Sequence, residues 1–207
     1  MSLNFPPVTT HERDVDLLVN ILASLIEDHA GVYVSTPITS GRRFAEWSNS
    51  RDVEIDLSHP ETYQDFLREV LEPNSEHAKC VIKKLRGIFS KALIDPTALK
   101  DIDGWNQDDY RYLWARVIEK YADTVVFLNG WQYSNGCAYE FLTANGMAHR
   151  PSILKETLEP LTLVEGIRLL KAAVIDLNRS KLATDFLQQV LNQLNKLHTP
   201  EEALAEA

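Results

Sequence analysis

Thr124-Val125-Val126-Phe127-Leu128 is the most strand-like stretch of the chain, β-branched and aromatic with no charge in it. On its N-terminal side, residues 108–122 carry apolar side chains at helical spacing with Asp108 near the start, and they read as a helix. On its C-terminal side the chain turns polar and glycine-bearing from Asn129 to Gly136. It is then expected to be helical from Cys137 to about Ala148, and Pro151–Lys155 reads as a further strand. Two more short apolar runs lie upstream, Val32–Val34 and Ala92–Ile94. Each ends in a proline-containing turn, at Pro37 and Pro96, where the missing N–H stops a ladder. Short apolar strands alternating with helices require crossover connections. The fold class expected is therefore α/β: a doubly wound, flavodoxin- or Rossmann-like parallel sheet in a three-layer sandwich.

The remaining segments fit around that core. Residues 11–30 place Val15, Leu18, Leu22, Leu25 and Ile26 on one helical face. Residues 42–60 have mixed charge and little periodicity, which predicts a long loop or an inserted segment. Residues 61–89 read as helical but broken at Pro73. Two amphipathic helices close the chain within 160–198, with stripes from Leu163 to Leu177 and from Leu182 to Leu197. A single domain over 1–207 is expected, with its core at about 31–155 and extra helices at both ends.

Composition narrows the partners. The 207 residues carry 21 Lys and Arg against 30 Asp and Glu, a net charge of −9. That sign argues against a nucleic-acid polymer or an anionic membrane, because like charge repels a phosphate-rich surface. Cys80 and Cys137 are too few for a disulfide framework and read as reduced thiols of a cytoplasmic protein. Met1–Thr10 has no basic-then-apolar leader pattern, and no apolar run approaches about 20 residues.

In a doubly wound sheet, ligands gather at the carboxyl ends of the strands. The loop after the first strand offers Ser35, Thr36, Thr39, Gly41, Arg42 and Arg43, hydroxyls and guanidinium groups suited to a phosphate. It lacks P-loop or dinucleotide spacing. A capped turn with a solvated basic pair would look the same. The loop after the third strand carries Trp131, Ser134, Asn135 and Gly136 ahead of a helix N-terminus, with Glu140 in its first turns. An acid there is also favoured simply by the helix dipole. Trp114, mid-helix, reads as core, and His77 and His149 read as surface residues. Ser134 lacks the context of a hydrolase nucleophile.

Tyr33-Val34-Ser35-Thr36-Pro37-Ile38-Thr39-Ser40-Gly41, followed by Asp123-Thr-Val-Val-Phe127 and Ser134-Asn-Gly-Cys-Ala-Tyr-Glu140, resembles the nucleoside 2-deoxyribosyltransferase-like superfamily. That group includes the 2′-deoxynucleoside 5′-phosphate N-hydrolases. The resemblance spans about 31–155, with an insertion at about 45–75. It implies that Glu140 is the nucleophile that attacks the anomeric carbon and forms a glycosyl ester. Tyr33 would orient that carboxylate. Ser134 and Gly136 would contact a 5′-phosphate, with Arg42 or Arg43 in support. The implied chemistry uses no metal and no cofactor, on a small-molecule nucleoside or nucleotide, in a homo-oligomer, commonly a dimer. One position departs from the pattern. The family aspartate that helps protonate the leaving base lies eight residues before Asp123, and here it is Ala115. Asp109 is taken as the replacement acid, with Asp108 and Asp95 as the other candidates.

The expected function is cleavage or transfer of an N-glycosidic bond on a (deoxy)nucleoside or nucleotide. The alternative is a catalytically silent nucleotide-binding module of the same fold. A third, of another class, is an interaction scaffold built on the apolar stripes of the terminal helices.

Overall fold

Gly31–Ser35 is buried at every position, so both of its faces are covered, as the apolar run predicts. The computed structural model describes residues 9–24, 26, 30–51, 55–149 and 151–198. In chain order these form α1 (Glu12–Ala23), β1 (Gly31–Ser35), α2 (Arg42–Asn49), α3 (Pro60–Phe66), α4 (Glu72–Ile88) and β2 (Leu93–Ile94). Next come α5 (Gln107–Tyr121), β3 (Ala122–Phe127), α6 (Asn135–Gly146), β4 (Ser152–Lys155), α7 (Leu163–Arg179) and α8 (Asp185–Leu197). The sheet has four strands in the order β2-β1-β3-β4, all parallel. The molecule is an α/β three-layer sandwich.

Strand alternation decides what each layer meets. Val32 and Val34 of β1, with Val126 of β3, pack with Ala78, Val81, Ile82 and Leu85 of α4. Tyr33, Val125 and Phe127 turn to the opposite face, where α5 and α6 cover them. Beyond that layer, α1 packs against α5, and Tyr121 donates from its hydroxyl to the Val19 carbonyl at 2.8 Å. The stripes of α7 and α8 close over α6 in the same cluster. Their apolar faces are therefore covered within the chain, which removes the feature that suggested a scaffold. The α6–α7 approach is very close: a Cβ added at Gly166 would lie 2.1 Å from Phe141 Cζ.

Three expectations change. The N-terminal helix ends at Ala23, not residue 30, and Leu25 lies outside the described residues. Residues 42–49 are helical rather than looped. Phe44 and Trp47, one turn apart, pack with Phe66 and Val70 in a cluster of their own. Eight residues are too few for periodicity to declare itself. Pro73 does not break its helix. A π-helical turn at Leu67–Leu71 joins α3 to α4, so the chain stays helical from Pro60 to Ile88. The wider turn relieves the clash between a proline ring and the carbonyl four residues earlier. Among the described residues, no helix is long and apolar enough to cross a membrane.

Candidate functional site

Residues two apart on a strand share a face, so Tyr33 and Ser35 both point toward α6. That helix starts where Ser134 caps it, accepting from the Cys137 N–H at 3.4 Å. Glu140 sits six positions after the cap and reaches back to β1. Its carboxylate is held by two hydroxyls. Tyr33 donates to Oε1 at 2.7 Å, and Ser35 donates to Oε2 at 2.5 Å. The three residues lie where β1 and β3 meet, the point at which the strand order reverses. In such sheets this crevice is where ligands bind.

Burial dominates the electrostatics. Glu140 is only 8% exposed, and burial pushes its carboxyl above the usual range, against the opposing pull of the Ser35 and Tyr33 hydroxyls. Burial, then the charge of Glu140, drives the Tyr33 phenol well above its ordinary value. The same two causes push the Cys137 thiol up to about 12, so it stays protonated at neutral pH and is no nucleophile. The product is one buried carboxylate, oriented by neutral donors. That geometry holds the carboxyl group in a fixed pose.

No family model, curated protein or solved structure matches this chain.

The other sequence-derived residues divide. Thr36 donates to the Val34 carbonyl at 3.2 Å, while Thr39 and Asn135 are exposed. Gly136 opens the first turn of α6 with little near it; a Cβ there would meet only Ser134 Oγ at 3.9 Å. Trp131 is 4% exposed, its indole 5.0 Å from Phe127 and 4.7 Å from Phe141, so most of its surface is spent on the core. Among the described residues, Arg42 and Arg43 make no hydrogen bond or ion pair with Glu140. They line a cleft of about 630 Å³ at the ends of β3 and β4, with His77, Phe127, Trp131 and Lys155, and Glu140 is not part of that lining. Gly41, at φ 87°, turns the chain into α2, whose first residue abuts Gly130. That turn carries both arginines away from β1.

Asp109 is not placed as a proton donor. It is fully buried in the capping box of α5, where Oδ2 accepts from the Asn106 N–H at 2.8 Å and Oδ1 accepts from the Thr9 hydroxyl. Burial raises its pKa, but the Asn106 and Thr9 donors outweigh that and hold it below the ordinary value. Asp108 pairs with Arg111, and Asp95 caps the turn at Thr97, accepting at 3.0 and 2.7 Å. Each candidate acid is thus committed elsewhere. Ala115 is buried, and its neighbour Trp114 sets its ring 6.2 Å from that of Tyr33. Among the described residues no His, Cys, Asp or Glu cluster could hold a metal ion.

Sequence reasoning missed Asn74 and Lys155, while His77 lies on the surface as expected. Asn74 donates to the carbonyls of Ile38 at 2.8 Å and Ser40 at 3.3 Å, bracing the loop after β1. His77 Nε2 lies 3.1 Å from Glu156, which also accepts from the Asn129 N–H at 2.9 Å. These contacts join residues dozens of positions apart, and no local pattern announces them.

Proposed function

We propose that this chain cleaves or transfers the N-glycosidic bond of a (deoxy)nucleoside or nucleotide, with Glu140 as the nucleophile. The observation that carries the reading is the Glu140 carboxylate held by Tyr33 and Ser35 at the strand-order reversal. It agrees with the roles implied by resemblance to the nucleoside 2-deoxyribosyltransferase-like superfamily. One carboxylate oxygen attacks the anomeric carbon as the C–N bond breaks, and the base leaves with that electron pair. The oxocarbenium-like transition state gains from the negative charge on one face of the sugar. Tyr33 and Ser35 fix the carboxylate before the sugar arrives, so no reorganisation is needed during attack. Water or a second base then attacks the same carbon and frees Glu140. With Asp95, Asp108 and Asp109 engaged elsewhere, the departing base takes its proton from water, so poor leaving groups react slowly. The working setting is a cytoplasmic homodimer, for which light scattering at micromolar concentration must show twice the chain mass.

Incubation with deoxynucleosides and their 5′-monophosphates tests the reaction. Base release or exchange is expected, with a glycosyl adduct trapped on Glu140 and none in Glu140→Ala. Turnover unaffected by Glu140→Ala overturns the mechanism. The committed acids favour one alternative, a silent nucleotide-binding module. Tight nucleotide binding without base release would select it.

A further inference from the structure

The cleft beside α2 is electrostatically uneven. Three of its four basic side chains already face a carboxylate: Arg42 with Glu46 at 3.4 Å, His77 with Glu156 at 3.1 Å, and Lys155 with Glu165 at 2.9 Å. Arg43 does not. Its Nε donates to the neutral Asn74 Oδ1 at 3.2 Å, and among the described residues it has no acidic partner. Asn74 is itself fixed by the Ile38 and Ser40 carbonyls, which hold its amide nitrogen and so turn its oxygen toward Arg43. The guanidinium is thereby tethered at one edge, with its terminal N–H groups uncommitted. A planar fork held in this way suits a tetrahedral or carboxylate oxyanion. Among the described residues, Arg43 is thus the one cation of the lining with no carboxylate opposite it. One guanidinium without a carboxylate partner matches one anionic group rather than a phosphate chain. The volume of about 630 Å³ is that of a small-ligand site, and Phe127, Trp131 and Leu161 give it an apolar wall.

We propose that this cleft is a second binding site, separate from the Glu140 cluster, for a small ligand bearing one phosphate-class oxyanion read by Arg43. Asn74 is its positioning residue. The site needs no turnover at Glu140 and stands whether or not the glycosidic reaction occurs.

Calorimetric titration of the full chain with inorganic phosphate, and separately with ribose 5-phosphate, tests it. Saturable binding is expected, weakened at least about tenfold by Arg43→Ala, the loss of a charge-assisted contact. Arg43→Lys recovers it only in part, because the fork is gone. Asn74→Asp is the sharper variant. It keeps an oxygen on Arg43 but makes it a carboxylate, so binding falls as far as in Arg43→Ala although the arginine remains. Equal affinity for the two probes identifies free phosphate as the ligand, and tighter binding of the ester identifies a phosphomonoester. Arg43→Ala titrating like the unaltered chain overturns the proposal, as does saturation by neither probe. Glu140→Gln is expected to bind inorganic phosphate, which carries no sugar, as before. Loss of binding there would merge the cleft with the Glu140 site and refute a separate one.

Discussion

Replacing Tyr33 with Phe removes a single oxygen, the one that donates to Glu140 Oε1 at 2.7 Å, and leaves the ring against Trp114. A hydrogen bond to a charged acceptor contributes about 1.5–3 kcal/mol, and one to a neutral acceptor about 0.5–1.5 kcal/mol. Above the Glu140 pKa the substitution costs the first amount, and below it the second. The difference, about 1–1.5 kcal/mol, raises the Glu140 pKa by about one further unit. Burial already holds that pKa above its ordinary value. The sign follows from the donor favouring the ionised form in the folded chain only. Its contribution is therefore complete at high pH and shrinks as pH falls through the folded pKa. Urea denaturation from pH 4 to 8 is the assay, with side-chain carboxyl NMR to follow Glu140 directly. Tyr33→Phe must lose more stability at pH 8 than at pH 4, and its carboxyl titration must move upward. Equal losses at both ends, with an unmoved titration, would refute the view that the phenol serves the charged carboxylate.

Glu140→Gln removes a charge that is costly to bury. A raised folded pKa stabilises below the unfolded value and loses that contribution as pH rises through the folded one. The variant must accordingly gain on the unaltered chain as pH rises from 4 to 8, read as a widening gap in denaturation midpoint. Gly166→Ala drives a methyl group into the Phe141 ring and is expected to cost about 1–3 kcal/mol by overpacking, visible as a lower Tm. Because Phe141 stacks on Trp131, the same variant must shift tryptophan emission. Asp109→Ala opens the α5 capping box and is expected to cost about 0.5–2 kcal/mol at pH 7. Its rate of base release must stay unchanged once the folded fraction is corrected for; a large fall in kcat would restore Asp109 as the acid.

The α/β class was legible because a buried parallel strand needs an uninterrupted apolar run, and Thr124–Leu128 supplies one. The helices that carry the site were legible for a related reason, since α5 and α6 flank that run in sequence. What escaped were features set by distance along the chain. Asn74 meets a loop about thirty residues away, and nothing in its neighbours marks it. The two arginines looked like companions of Glu140 until the turn at Gly41 led them elsewhere. The role of Asp109 is different, because its signal was present. Asn106-Gln107-Asp108-Asp109 has the spacing of a capping box.

The π-helical turn at Leu67–Leu71 amounts to one surplus residue threaded into a long helix. Each residue advances a helix by about 100°, so excising one there would rewind everything downstream by that angle. Asn74 and His77, on successive turns, would swing off the cleft together, and Arg43 would lose its tether while every side chain of the wall survived. A one-residue deletion in a turn that lines no part of the cleft therefore acts on both of its α4 residues at once. The same rotation would turn Ala78, Val81, Ile82 and Leu85 off β1 and β3, so this one turn sets the register of the cleft residues and of the core face of α4 together.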